Sequence, residues 1–137
     1  MNCAVSRSYV TAAVAIASMF ASYTTLAQVA TRPSDAEIRD IEAKLTMPHG
    51  AASIPEYVRY YYASVSKRGR YIAGVYVARI NFEPPDVPTS DIVVVSSDAE
   101  VPAPYDAGCD VVWVTYDPDA ASVLSSYCSS ELKLWDD

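Results

Sequence analysis

Hydrophobic and polar positions recur with two rhythms along the chain, and each change of rhythm marks an element. From Ser34 the rhythm is helical. Ser34-Asp-Ala-Glu37 has the form of a capping box, in which the serine hydroxyl and the glutamate carboxylate satisfy each other's backbone amides. Ile38, Ile41 and Leu45 then recur at i, i+3 and i+7 on one face. Asp35–Arg39 and Asp40–Lys44 place an acid four residues ahead of a base on the exposed side. Pro48 and Gly50 end the pattern, so the spacing predicts a helix of about three turns. Such a helix is too short to stand alone and must dock on another element.

After the connector Ala51–Pro55 the rhythm shortens to two. Glu56–Ser66 and Tyr71–Ile80 are aromatic and β-branched runs separated by Lys67-Arg-Gly-Arg70, which predicts a hairpin turning at Arg68-Gly69. In the second run Tyr71, Ala73, Val75 and Val77 share one face, and Ile72, Gly74, Tyr76, Ala78 and Ile80 share the other. Neither face is polar, so this strand is expected in the middle of a sheet covered on both sides. Gly74 beside Tyr76 marks a bulge or a close aromatic approach. Asn81–Ser90, with Pro84, Pro85 and Pro88, reads as a stiff loop; Ile92–Val95 reads as a third strand region, and Val101–Pro104 as an edge or a loop.

The last two runs are Asp110–Tyr116 and Ala121–Tyr127, separated by Asp117-Pro-Asp-Ala120 and flanked by Cys109 and Cys128. They predict a second hairpin. A turn centred between Pro118 and Asp119 sets Cys109 opposite Cys128, within reach of a disulfide. Pro118 disfavours the tightest turns, so a bulged turn or a four-residue loop is expected, with a register shift of a residue or two.

The fold class is therefore α+β: one N-terminal helix packed on a curved antiparallel sheet of about five strands, with a disulfide-stapled C-terminal hairpin. In shape alone this order resembles the cystatin-like arrangement, in which a sheet wraps one helix. It carries no family motif.

Composition adds a compartment. Residues 1–27 hold Arg7 near the start, an alanine-rich apolar core of about a dozen residues, and small residues up to Ala27. This is the pattern of a signal peptide cut after Ala27, its core too short for a comfortable membrane span. Cleavage removes Cys3, leaves Cys109 and Cys128 as the two cysteines, and makes 28–137 one small domain. The whole 137-residue chain carries a formal −7. Cleavage also removes Arg7, leaving nine basic residues against seventeen acidic ones, or −8. From Arg79 onward only Arg79 and Lys133 are basic. The charge speaks against a nucleic-acid partner or an anionic membrane surface. The expected setting is the periplasm or the extracellular medium, with the alanine-rich leader suggesting a bacterial source.

Candidate chemistry is sparse. His49 is the only histidine, and its place near the helix end suits a cation beside helix carbonyls. No nucleophile elbow, phosphate-cradling glycine pattern or zinc-ligand set is present, and no cofactor is expected. Asp91, Asp98, Glu100, Asp106 and Asp110 match no calcium-loop spacing and read as solvated loop charges.

Tyrosine is the unusual feature, with Tyr57, Tyr60, Tyr61 and Tyr62 crowding the first strand. One face of that strand is expected to fill the core under the helix. The other, if exposed, presents Tyr60 and Tyr62 with Arg59, Arg68 and Arg70 nearby, and the candidate binding surface of this hairpin is Tyr57, Arg59, Tyr60, Tyr62, Arg68, Arg70 and Tyr76. That is a surface of the composition enriched at protein interfaces and able to stack a sugar or another planar ligand. The expected function is an exported, non-enzymatic binding or inhibitor-like module for an envelope or extracellular protein or a small ligand. The alternatives are a small carboxylate-dependent hydrolase or lyase, using Asp98, Glu100 and His49, and a structural accessory of the cell envelope.

Overall fold

The helix α1 spans Asp35–Lys44 and starts as its sequence dictates. Ser34 is extended, its Oγ accepts from the Glu37 amide at 3.3 Å, and Glu37 Oε2 accepts from the Ser34 amide at 2.8 Å. Ile38 and Ile41 are buried, and Leu45 caps the C-terminus by donating its amide to the Ile41 carbonyl at 2.8 Å. The helix thus stops ahead of Pro48, and Lys44, rather than His49, is the cation of its last turn. His49 lies in the turn beyond, exposed. Asp40–Lys44 forms at 2.7 Å, whereas Asp35 and Arg39 make no ion pair among the described residues. The computed structural model describes residues 32–83, 86, 88–104 and 106–131. The signal-peptide reading of 1–27, Pro84, Pro85 and the acidic tail with Leu132, Leu134 and Trp135 lie outside the described residues.

Five strands follow: β1 Tyr57–Ser66, β2 Gly69–Ala78, β3 Ile92–Val94, β4 Val111–Asp117 and β5 Ser122–Cys128. They form one sheet in the order β3-β1-β2-β4-β5. β1 and β2 pair from Tyr57↔Ala78 to Ser66↔Gly69, so the turn is Lys67–Arg68, one residue earlier than the Arg68-Gly69 pattern suggests. Gly69 instead opens β2 with φ +114°, a conformation open to glycine and strained for other residues. β2 is central and buried from Ile72 through Ala78, as its two apolar faces require. Ile80 is an exception: it lies in a 3₁₀ turn, Arg79–Asn81, and is 81% exposed.

The sheet is mixed, not wholly antiparallel, because β3 runs parallel to β1 with Arg59↔Ile92 and Tyr61↔Val94 in register. The reason is the route of the chain. β2 ends beside the start of β1, and the loop 79–91 passes to the outer edge of β1, so the next strand runs the same way as β1. The place beside β2 is taken by β4.

The β4–β5 hairpin closes on the four residues 118–121, with Asp117 Oδ1 accepting from the amides of Asp119 and Ala120 at 2.9 and 3.1 Å. The loop is centred one residue later than Pro118/Asp119, which moves the register by two, and a bulge between Thr115 and Tyr116 moves it by one more, so Cys128 pairs with Val112 rather than with Cys109. Cys109 precedes β4, in the 3₁₀ turn Gly108–Asp110, and that turn brings its Cα within 4.5 Å of Cys128. The disulfide forms by this route.

Each face of the sheet has a core. Under α1, Ile38 and Ile41 meet Tyr57, Tyr61, Ile72, Tyr76, Val112, Val114 and Tyr116. On the other face Val58, Tyr60, Val75, Val77 and Val111 are covered by Phe82 and by Val95, Val101, Ala103 and Ala107 of the coil between β3 and β4. Val101–Pro104 is therefore a loop whose apolar residues close the second core.

Candidate functional site

The helix-side core contains a hydrogen-bonded line of tyrosines. Tyr61 Oη donates to Glu42 Oε1 of α1 at 3.1 Å and lies 2.6 Å from Tyr76 Oη. With its single proton on Glu42, Tyr61 accepts from Tyr76. Arg59 Nε stands 3.3 Å from the same Glu42 oxygen and 3.3 Å from the Asp91 carbonyl, tying helix, β1 and the start of β3 together. The Tyr61 and Tyr76 rings meet edge to face at 5.9 Å. Gly74, opposite Tyr61, allows this: a Cβ there would stand 3.0 Å from Tyr61 Cε1 and 3.2 Å from Tyr76 Cε1. Close aromatic approach, with no bulge at this position, is thus the role of that glycine. Tyr57 Oη accepts from the Ala52 amide at 2.9 Å and donates to the Cys109 carbonyl at 2.7 Å.

Along the helix edge, Arg70 holds Glu37 at 2.6 Å and donates to the Arg32 carbonyl at 3.3 Å, while Tyr116 donates to Asp40. Chemically these groups are quiet. Burial and the neighbouring Tyr76 raise the Tyr61 phenol far above its ordinary value. Burial pushes Tyr76 up to about 12, and the Asp40 carboxylate holds Tyr116 up at about 12. The Arg70 hydrogen bond, helped by Ser34, brings Glu37 down to about 2. None of these is poised to exchange a proton near neutrality.

The tyrosine–arginine surface expected from the sequence is therefore divided. Tyr57, Arg59 and Tyr76 are buried on the helix face, and Tyr60 is buried in the second core. Arg70 is turned to the helix, and Arg68 is exposed in the hairpin turn. Register is the cause. Arg59 shares its face with Tyr57 and Tyr61, not with Tyr60 and Tyr62, and Arg70 shares the face of Tyr76. Of the seven residues only Tyr62 remains as a half-exposed aromatic on an open part of the sheet.

What surrounds Tyr62 was not marked by the tyrosine cluster. The second core ends at Tyr62 and Trp113, and beyond them the sheet face is only partly covered. Tyr62↔Ala73↔Thr115↔Ser125 form one row across β1, β2, β4 and β5. Three interstrand steps make that row about 14 Å long. Trp113 and Tyr127 pair directly on the same face one step along the strands, and Tyr71 stands two residues from Ala73 along β2. Small side chains thus occupy the middle, and half-buried rings stand around them. The Ser125 hydroxyl is shielded from solvent and has no hydrogen-bond partner among the described residues. Burial pushes Tyr62 up to about 12, and Asp98, Tyr71 and Tyr127 lie close enough to add to the effect. The signal for Trp113 and Tyr127 in the sequence is their alternation with Val112, Val114 and Ser126, but only the bulged register shows that they meet.

The two carboxylates of the hydrolase alternative share one short turn, and His49 lies apart from them in the turn after the helix. Asp98 and Glu100 are exposed on a 3₁₀ turn, where Glu100 accepts from the Ser96 amide at 3.0 Å, and Asp91 is paired with Arg79. Among the described residues no three His, Cys, Asp or Glu side chains are grouped to hold a metal ion, and no helix is long and apolar enough to cross a membrane. The chain matches no protein-family model, no curated protein and no solved structure.

Proposed function

We propose that the protein is an exported, non-enzymatic binding module whose binding face is the open half of the second sheet face. One observation carries this reading: Tyr62, Tyr71, Trp113 and Tyr127 stand half-buried around Thr115 on this face, with Ala73 and the Ser125 hydroxyl shielded among them. Large rings at the margin and small side chains at the centre offer a partner contact area at little cost in side-chain entropy. The strands beneath are held by the opposite core, so the surface is formed before a partner arrives. Export rests on the leader pattern of residues 1–27, and the Cys109–Cys128 disulfide agrees with an oxidising compartment.

Native mass spectrometry of the protein purified from its own host tests both parts. A mass starting at Gln28, less two hydrogens, supports export with the disulfide closed. A retained leader overturns export. A bound partner or small molecule that dissociates from the Thr115→Arg variant supports the binding face. A bound species indifferent to Thr115→Arg places binding elsewhere.

A further inference from the structure

The two edges of the sheet are built differently. β3, at one edge, is three residues long, with Asp91 immediately before it and Pro88 in the approach. Short length, charge and proline are the guards that keep an edge strand from pairing with another chain. β5, at the other edge, is seven residues long and contains no charged residue, proline or glycine. Leu124 within it is exposed.

Strand alternation identifies which of its backbone groups point away from the sheet. β1 bonds the β3 side through the Arg59 amide and the Tyr61 carbonyl, so it bonds β2 through Tyr60 and Tyr62. Carried across the registers, β2 bonds β4 at Ile72, Gly74 and Tyr76, and β4 bonds β5 at Trp113↔Tyr127 and Thr115↔Ser125. Ser126 therefore turns its N–H and C=O outward, where they have no backbone partner among the described residues. The bulge at Leu124 disturbs only the first half of the strand, and Ser125–Cys128 pairs regularly with β4.

We infer that the outer edge of β5 pairs with the same edge of a second copy, antiparallel about a two-fold axis through Ser126, making a ten-stranded sheet. A second copy fits because an antiparallel edge is its own complement: each Ser126 donates its N–H to the other's C=O and accepts in return. The chain is net negative, and an uncharged strand lets two copies meet with no like charges opposed across the pair. On this axis Ser125 of one copy stands opposite Tyr127 of the other, on the second face. The two open faces then join into one surface, which goes beyond the single-chain module proposed above. The contact is one strand wide, so association is weak and concentration-dependent.

The test is sedimentation equilibrium of the exported, disulfide-closed protein over a range of concentrations, with amide exchange followed in the same samples. Expected is a monomer–dimer equilibrium in which the Ser126 amide gains protection as the dimer forms. Ser126→Pro removes the outward donor from both copies and leaves the bonds to β4 in place, as edge strands tolerate. It should weaken the dimer about thirtyfold, for two backbone bonds lost per dimer. It also gives up the exposed Oγ bond to Thr46, so folding of the dilute variant is checked by circular dichroism. Leu124→Lys, an edge guard placed on an exposed side chain, should weaken the dimer as well. A monomer at every concentration, or a dimer indifferent to both variants, overturns the inference. A monomer whose Ser126 amide is already protected overturns it in favour of the chain's own residues 132–137 on that edge.

Discussion

The two faces of the sheet are built from similar residues and end in different states. On the helix face the hydroxyls of Tyr57, Tyr61, Tyr76 and Tyr116 each have a partner, and the rings of Tyr57, Tyr61 and Tyr76 are fully enclosed. On the second face the tyrosines and the tryptophan beyond the core are half-buried, and the shielded Ser125 hydroxyl has no partner among the described residues. Tyrosine content therefore does not distinguish scaffold from binding surface. Cover does. A helix with Glu37, Asp40 and Glu42 in reach of the sheet turns phenols into internal cross-links, whereas a coil that stops at Tyr62 and Trp113 leaves phenols available.

Changes on the helix side should lower stability and leave ligand binding intact, and changes on the open half should do the reverse. The largest expected effect comes from the disulfide. Cys109→Ala with Cys128→Ala should lower unfolding stability by ~3 kcal/mol in denaturant titrations, on the loop-entropy account of a bond closing 19 residues of sequence separation. Gly74→Ala comes next, at ~2 kcal/mol, because the new methyl meets two rings held by their own hydrogen bonds. Relief of that loss in Gly74→Ala/Tyr61→Leu, relative to Tyr61→Leu alone, would locate the clash. Tyr61→Phe should cost ~1 kcal/mol by the same measurement, since it removes one donor from Glu42 and strands the Tyr76 hydroxyl.

Acid should act on the helix side as well. Glu37 is held down at about 2 in the fold against an ordinary 4.5, so its contribution is complete above pH 4.5 and is lost as pH falls toward about 2. With the pair partly solvated the loss is ~1 kcal/mol, and Glu37→Gln should flatten that part of the stability–pH curve. The smallest stability change belongs to Thr115→Arg, expected within about 0.5 kcal/mol because the site is partly open, yet it should abolish binding. A large stability loss there with binding retained would reverse the assignment of the two faces.

Much of the fold was legible along the chain. The capping box, the central position of β2 and the two hairpins follow from local signals: cap chemistry, two-faced apolarity and turn residues. Partnership between distant segments was not legible. β3 has the same local pattern whether it pairs with β2 or β1, and only the route of loop 79–91 makes it parallel. The cysteine pair was legible as a bond but not as a register, because the later turn centre and the Thr115/Tyr116 bulge move the strands apart in register and the Gly108–Asp110 turn makes up the difference. The candidate site failed for a related reason. Arg59 adjoins Tyr60 in sequence, but strand alternation sends them to opposite faces, and Trp113 and Tyr127 share the face of Tyr62 only through the intervening strands, β2 for Trp113 and β2 and β4 for Tyr127.

The parallel strand also imposes an order of assembly. Both hairpins close over short loops, whereas β3 joins β1 across the whole of β2 and the segment 79–91, a longer closure. Three register pairs and the flanking Arg59–Asp91 and Val95–Tyr61 backbone bonds then hold it. The coil that seals Val58, Tyr60 and Val77 is strung between β3 and β4, so the seal is complete only when both strands are in place. Amide exchange should be fastest at Ile92–Val95 and slowest in β2. A chain in which β3 has not yet docked leaves Ile92 and Val94 off the helix-side core and Val93 and Val95 off the second core, all four facing water. That stage is the one in which a chaperone, or a neighbouring unfinished chain, has something to hold.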